Sequence, residues 1–133
     1  MTTAAIRRGR GIHLAAALAL LVAAGCSGDD TSAAEPSERA EVEIELVAFQ
    51  PERIVVAAGS TVVWHQRDSG DHTVTSGTVR DGAAGVTQEP DGRFDSGRIP
   101  TGGRFEQTFD EPGTYPYFCA LHPATMRGEI RAT

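Results

Sequence analysis

From about residue 41 onward the sequence predicts an all-β fold, an antiparallel β-sandwich or barrel. Three observations carry that reading. Val42, Ile44 and Leu46 alternate with Glu41, Glu43 and Glu45, the period of a half-buried strand. Several further β-rich runs follow at fairly regular spacing, punctuated by glycine and proline. Beyond the N-terminal segment, no stretch shows a sustained helical period.

The elements follow in order. The first strand carries charge on its outer face and stops at Phe49-Gln50-Pro51. Ile54-Val55-Val56 and Thr61-Val62-Val63-Trp64 are two β runs joined by a turn containing Gly59. In the second run His65 alternates with Trp64 and points to the opposite face, at the surface or packed against it. A polar loop at residues 67–70 leads into His72-Thr73-Val74-Thr75-Ser76, with His72 at the mouth of that strand. Residues 77–93 hold four glycines and Pro90 but few large apolar side chains, and read as a long surface loop before a short strand near Phe94. After the Thr101-Gly102-Gly103 turn, Phe105, Gln107 and Phe109 share one face of the next strand. Glu111-Pro112-Gly113 turns the chain into a strand from Thr114 to Cys119, and residues 127–132 form the last one. Trp64, Tyr115 and Tyr117 are expected in the core.

The N-terminal part has a different character. Arg7, Arg8 and Arg10 precede an apolar, Ala- and Leu-rich run from Leu14 to Ala24, with no acidic residue before Asp29; residues 1–25 read as an export signal. The run is short for a membrane span. Small residues leading into Cys26 resemble the lipobox of bacterial lipoproteins, in which the cysteine is lipidated and becomes the new N-terminus. Ala23 departs from the leucine usual in such boxes. Residues 26–40 are small, polar and acidic and read as a flexible tether, leaving residues 41–133 as one domain.

The full chain of 133 residues has a formal charge of −6, and removal of residues 1–25 takes away three arginines and no acid, giving −9. There is no lysine. Such a balance speaks against nucleic-acid binding, which rests on neutralising phosphates, and an acidic surface suits steering toward a basic protein partner. With Cys26 lipidated, the exported chain keeps a single thiol, Cys119, where free thiols tend to oxidise. A metal ion is one way to cap it.

The chemistry concentrates in Tyr115-Pro116-Tyr117-Phe118-Cys119-Ala120-Leu121-His122-Pro123-Ala124-Thr125-Met126. Cys119, His122 and Met126 place a thiolate, an imidazole and a thioether in one short loop, a donor set that suits copper better than magnesium or calcium. His72, far upstream, is the candidate second imidazole. Two imidazoles and a thiolate tolerate both oxidation states of copper, and ligands on fixed strand ends limit rearrangement when the charge changes.

Phe49-x-Pro51, Val62-Val63-Trp64, Asp71-His72-Thr73-Val74, Phe94-Asp95-Ser96-Gly97, Phe109-x-x-Pro112-Gly113-Thr114-Tyr115-x-Tyr117 and Cys119-x-x-His122 together resemble the cupredoxins, small blue copper proteins such as plastocyanin and amicyanin. The likeness runs from about Val47 to Ile130. It implies a Greek-key β-sandwich with one copper ion near one end, His72, Cys119 and His122 as equatorial ligands and Met126 as the axial one. Two features depart from the family pattern. Three residues separate His122 from Met126, between the shorter amicyanin-like and longer plastocyanin-like loops. Gln66 stands where relatives often have an asparagine that ties the His-bearing loop to the Cys loop. Phe118 corresponds to a position that is partly exposed in plastocyanin and borders an electron path, or else packs on the second sheet.

The function expected is electron transfer outside the cytoplasm, at the outer face of the cell membrane or in the periplasm. Electrons would pass through the edge of the His122 ring, framed by Leu121, Pro123 and Ala124, in brief docking with redox partners by a monomer anchored through Cys26. The alternative is copper delivery or buffering by the same ligands. An enzymatic role is disfavoured: beyond the assigned ligands only His65 remains among the histidines after residue 25.

Overall fold

The computed structural model describes residues 39–133. The expected signal, Cys26 and nearly all of the tether lie outside the described residues. The described residues form nine strands: β1 (Arg39–Glu45), β2 (Ala48–Gln50), β3 (Arg53–Val56), β4 (Ser60–Gln66), β5 (Thr75–Gly82), β6 (Gly85–Asp95), β7 (Arg104–Phe109), β8 (Gly113–Phe118) and β9 (Arg127–Ala132). They form two sheets, ordered β2-β1-β4-β7 and β3-β9-β8-β5-β6. The chain crosses between the sheets after β2, β3, β4, β6 and β7, while β1 with β2, β5 with β6 and β8 with β9 stay within one sheet. Two pairings in the otherwise antiparallel structure, β1 with β4 and β3 with β9, are parallel.

The alternation expected in β1 holds for Val42 and Ile44, both fully buried. It ends there. Leu46 is 79 % exposed because, with Val47, it forms the two-residue turn into β2, where Glu45 pairs with Ala48. β1 also begins at Arg39, with Ala40 packed against the core. The turn at Gly59, with φ of 89°, does not fold β3 and β4 into a hairpin. It carries the chain from one sheet to the other, β3 pairing with β9 and β4 lying between β1 and β7.

Between the sheets lies an aromatic centre. Trp64 is fully buried, edge-on to Tyr117 at 5.4 Å and 5.6 Å from Phe105 between ring centroids. An aromatic side chain of this size removes 150–250 Å² from water, roughly 4–6 kcal/mol. Phe94, Phe109 and partly buried Tyr115 extend the cluster. Burial pushes the Tyr117 hydroxyl far above its ordinary pKa. That hydroxyl and the Trp64 indole nitrogen have no well-formed hydrogen-bond partner among the described residues. The outer face of the first sheet is charged, with Arg39 on Glu106 at 3.0 Å, Arg67 on Glu43 at 2.6 Å, and half-buried His65 3.7 Å from Glu41. Such exposed pairs are screened by solvent and add little to stability.

The long loop expected at residues 77–93 is instead the larger part of an antiparallel ribbon, β5 with β6. Its residues are exposed on both faces, so no apolar period marks it, and main-chain pairing supplies the order. Only Thr75 and Ser76 of β5 pair with β8, so the rest of the ribbon runs past the sheet. A bulge between Thr75 and Gly77 marks the departure.

Candidate metal centre

One end of β8 and the segment before β5 meet at Cys119 and His72. Cys119 follows β8 directly, and His72 pairs in an isolated bridge with Ile99, its N–H donating to the Ile99 carbonyl at 3.2 Å and its carbonyl accepting the Ile99 N–H at 2.8 Å. The loop after Cys119 is closed by main-chain hydrogen bonds. The His122 N–H donates to the Cys119 carbonyl at 3.1 Å, Met126 N–H to the His122 carbonyl at 2.9 Å, and Cys119 N–H to the Met126 carbonyl at 3.0 Å. Met126 is thereby brought beside Cys119 in the chain path, with its side chain fully buried.

The ligand atoms of His72, Cys119 and His122 all lie within 4.8 Å of one another. Cys119 Sγ stands 3.7 Å from Nδ1 of His72 and 3.7 Å from Nδ1 of His122. Bonds of about 2.0 Å to nitrogen and about 2.3 Å to sulfur at trigonal angles set nitrogen and sulfur about 3.7 Å apart. Both sulfur–nitrogen spacings therefore match bonds to one shared ion, and a His2Cys set with a nearby methionine is a copper set. Cys119 and His72 are buried and His122 is half-buried, so only the loop side faces solvent, with Leu121 and Ala124 exposed around it. Phe118 is fully buried and borders no exposed path.

Three supports around the donors were not read from the sequence. Asp68 lies 3.2 Å from His72 Nε2 through Oδ2. Its carboxylate also accepts the N–H groups of Leu46 at Oδ1 and Val47 at Oδ2, both at 2.8 Å. Burial raises its pKa, but the Val47 and Leu46 amides together with His72 outweigh that and hold it below the ordinary value. Burial and then the neighbouring His122 lower the pKa of His72, against the pull of Asp68. The only cue to Asp68 was its place four residues before His72.

Thr73 is the second support. Its N–H donates to Cys119 Sγ at 3.4 Å and its Oγ1 accepts from Ala120 N–H at 2.7 Å. It binds the His72 segment to the Cys119 loop, the tie expected at Gln66. Gln66 instead braces its own loop, its Nε2 donating to the Gly70 carbonyl and its Oε1 accepting from Asp68 N–H at 2.9 Å. The third is the ribbon. Gln88 Nε2 donates to the Ala120 carbonyl at 3.1 Å, and Asp81 takes a two-pronged pair from Arg127 at 2.6 and 3.0 Å. Arg127 in turn donates from Nε to the Pro123 carbonyl at 3.0 Å. A segment with few apolar residues gives no sequence signal for such a role.

Residues 37–133 match the profile of a family described as copper binding proteins, plastocyanin/azurin family. The chain is 30 % identical over 95 residues to amicyanin-alpha of Methylorubrum extorquens, covering 71 % of this chain and 72 % of that protein. Among solved structures it resembles a purple cupredoxin from Nitrosopumilus maritimus, with TM-score 0.54, 29 % identity, and coverage of 71 % of this chain and 99 % of that one. It also resembles the copper-containing nitrite reductase of Thermus scotoductus, with TM-score 0.57 and 27 % identity, but this match takes in 74 % of the chain and only 23 % of the reductase.

Proposed function

Because the chain belongs to the plastocyanin/azurin family of copper-binding proteins, we propose that it is a type 1 copper electron carrier that passes single electrons between protein partners outside the cytoplasm. His72, Cys119 and His122, with Met126 as a weaker fourth donor, would hold the ion. The single observation that carries this reading is the placing of both Nδ1 atoms 3.7 Å from one sulfur, on two braced segments, the one before β5 and the loop after β8. Bound copper supplies a one-electron couple. The residues around it keep ligand positions nearly fixed through the change of charge, which lowers the reorganisation that each transfer demands. Thr73 N–H directs a dipole at the sulfur, a contact of the kind that tunes the potential.

The half-buried His122 ring, with Leu121 39 % exposed beside it, is the exit to a partner, and its small apolar surround suits brief docking by a monomer. Residues 1–25 as export signal, Cys26 as lipid anchor and residues 26–40 as tether would hold the domain of residues 41–133 near a membrane surface. Copper delivery is the weaker reading, because ligands as buried as His72 and Cys119 exchange slowly. An enzymatic role is weaker still, since a closed four-ligand site leaves no position for substrate.

The copper-loaded protein is expected to be intensely blue or green from thiolate-to-copper charge transfer, and Cys119→Ser to lose that colour. A colourless Cu(II) complex of the intact protein would overturn the proposal. Loss of copper to a chelator within seconds would favour delivery.

A further inference from the structure

The two-residue turn after β1 is unusual. Leu46 and Val47 both have φ of 55°, the left-handed region that a two-residue hairpin turn of this kind requires and that asparagine and glycine normally fill. For a β-branched residue such as Val47 this conformation is a genuine outlier. Both side chains are also exposed, Leu46 to 79 % and Val47 to 41 %, so burial of the side chains does not hold the turn. What holds it is Asp68, which accepts both turn amides.

The same carboxylate reaches the candidate ligand. Oδ2 of Asp68 takes the Val47 N–H at 2.8 Å and faces His72 Nε2 at 3.2 Å. A carboxylate there selects the tautomer with the proton on Nε2. That leaves Nδ1 as the free donor, and Nδ1 is the atom turned toward Cys119. Building on the copper reading above, we infer that Asp68 is a positioning residue that fixes the tautomer and orientation of His72 and fastens this ligand to the strained Leu46–Val47 turn. A displacement of the exposed turn would move Oδ2 and, with it, the hydrogen bond that orients the ring. The negative charge also favours the higher oxidation state of the ion that His72 would hold.

Asp68→Asn tests both halves of the inference. The amide keeps the shape but has one acceptor oxygen in place of two, and its NH2 group faces either a turn amide or the Nε2 proton, so one of the contacts must fail. In the metal-free full chain at pH 8, nitrogen NMR should show His72 protonated on Nε2 in the natural protein and a mixture of tautomers in Asp68→Asn. The Leu46 and Val47 amides should exchange at least about tenfold faster in the variant. In the copper form, loss of this contact should reduce the affinity for Cu(II) relative to Cu(I) about tenfold, raising the potential by about 59 mV. A second variant, Leu46→Asn with Val47→Gly, gives the turn residues suited to its backbone and should leave the His72 tautomer and the potential unchanged.

The inference is overturned by Nδ1 protonation of His72 in the natural protein, or by an Asp68→Asn variant in which the His72 tautomer and the exchange of both turn amides are all as before. The tautomer and exchange measurements use no metal. A failure of the copper reading itself would show separately, as a natural protein without the charge-transfer band.

Discussion

Gly128→Ala probes how closely the two central strands of the second sheet are fitted to the core. Gly128 of β9 is the partner of Tyr117 in β8. A Cβ at this position would stand 2.3 Å from Tyr117 Cζ, 2.5 Å from its hydroxyl oxygen and 2.8 Å from Cε1. Carbon atoms prefer about 3.5–4.0 Å, so the ring would have to retreat by more than about 1 Å. An exposed tyrosine could swing aside. This one is 2 % exposed and lies against Phe49 at 4.7 Å and Trp64 at 5.4 Å. Overpacking of a dense core costs typically 1–3 kcal/mol, and a wedge against an aromatic ring held on both sides belongs at the upper end. At about 3 kcal/mol, and about 4–8 °C per kcal/mol for a domain of this size, the Tm should fall by roughly 12–24 °C. The assay is urea and thermal unfolding of the metal-free protein, paired with Tyr117→Leu in a double-mutant cycle. Once the ring is gone, Gly128→Ala should cost less than about 1 kcal/mol. A loss below about 0.5 kcal/mol in the natural background would refute the argument, because the ring could then not occupy the space described.

Two further expectations concern the ribbon and the buried imidazole. Gly77 has φ of 127°, and a Cβ there would lie 2.2 Å from the Glu89 carbonyl oxygen and 2.7 Å from Pro90 Cα; Gly77→Ala combines backbone strain with a clash against main chain and should cost about 3 kcal/mol or more in urea unfolding. An unchanged midpoint would count against the register assigned to β5 and β6. Because burial first, and the neighbouring His122 second, lower the pKa of His72 in the folded state, the unfolded chain takes up that proton more readily. The contribution to stability of the metal-free protein is therefore complete above the ordinary value of 6.5 and is lost as pH falls through the lower folded value. The depressed Asp68 adds its own loss only below 3.8. A urea midpoint constant between pH 8 and pH 5 would contradict the burial of a neutral His72.

The strands that cover the core were readable in the sequence because burial leaves a periodic trace. Val42 and Ile44 in β1, Trp64 in β4, Tyr117 in β8 and the whole of β9 follow that trace. The ribbon left none. A strand exposed on both faces has no alternation, and its glycines, acids and Pro90 resemble a loop until pairing is seen. Leu46 misled for the opposite reason, since an apolar residue in phase with a buried face sits in a turn. At the metal centre, donor chemistry identified His72, Cys119, His122 and Met126 as the residues to compare, and folding brings the first three donors together. Asp68, Thr73, Asp81 and Gln88 act through hydrogen bonds to partners as many as 47 positions away in sequence. No local pattern encodes such partners, and so the bracing could not be read in advance.

The chain holds one tryptophan, and it stands in the dry centre of the aromatic cluster. Its fluorescence is thus a ready optical gauge of the interior. Emission should lie far to the blue while the sandwich is intact and move to the red, toward that of indole in water, as the sheets separate. Every unfolding curve called for above could be followed by that signal without attaching a label.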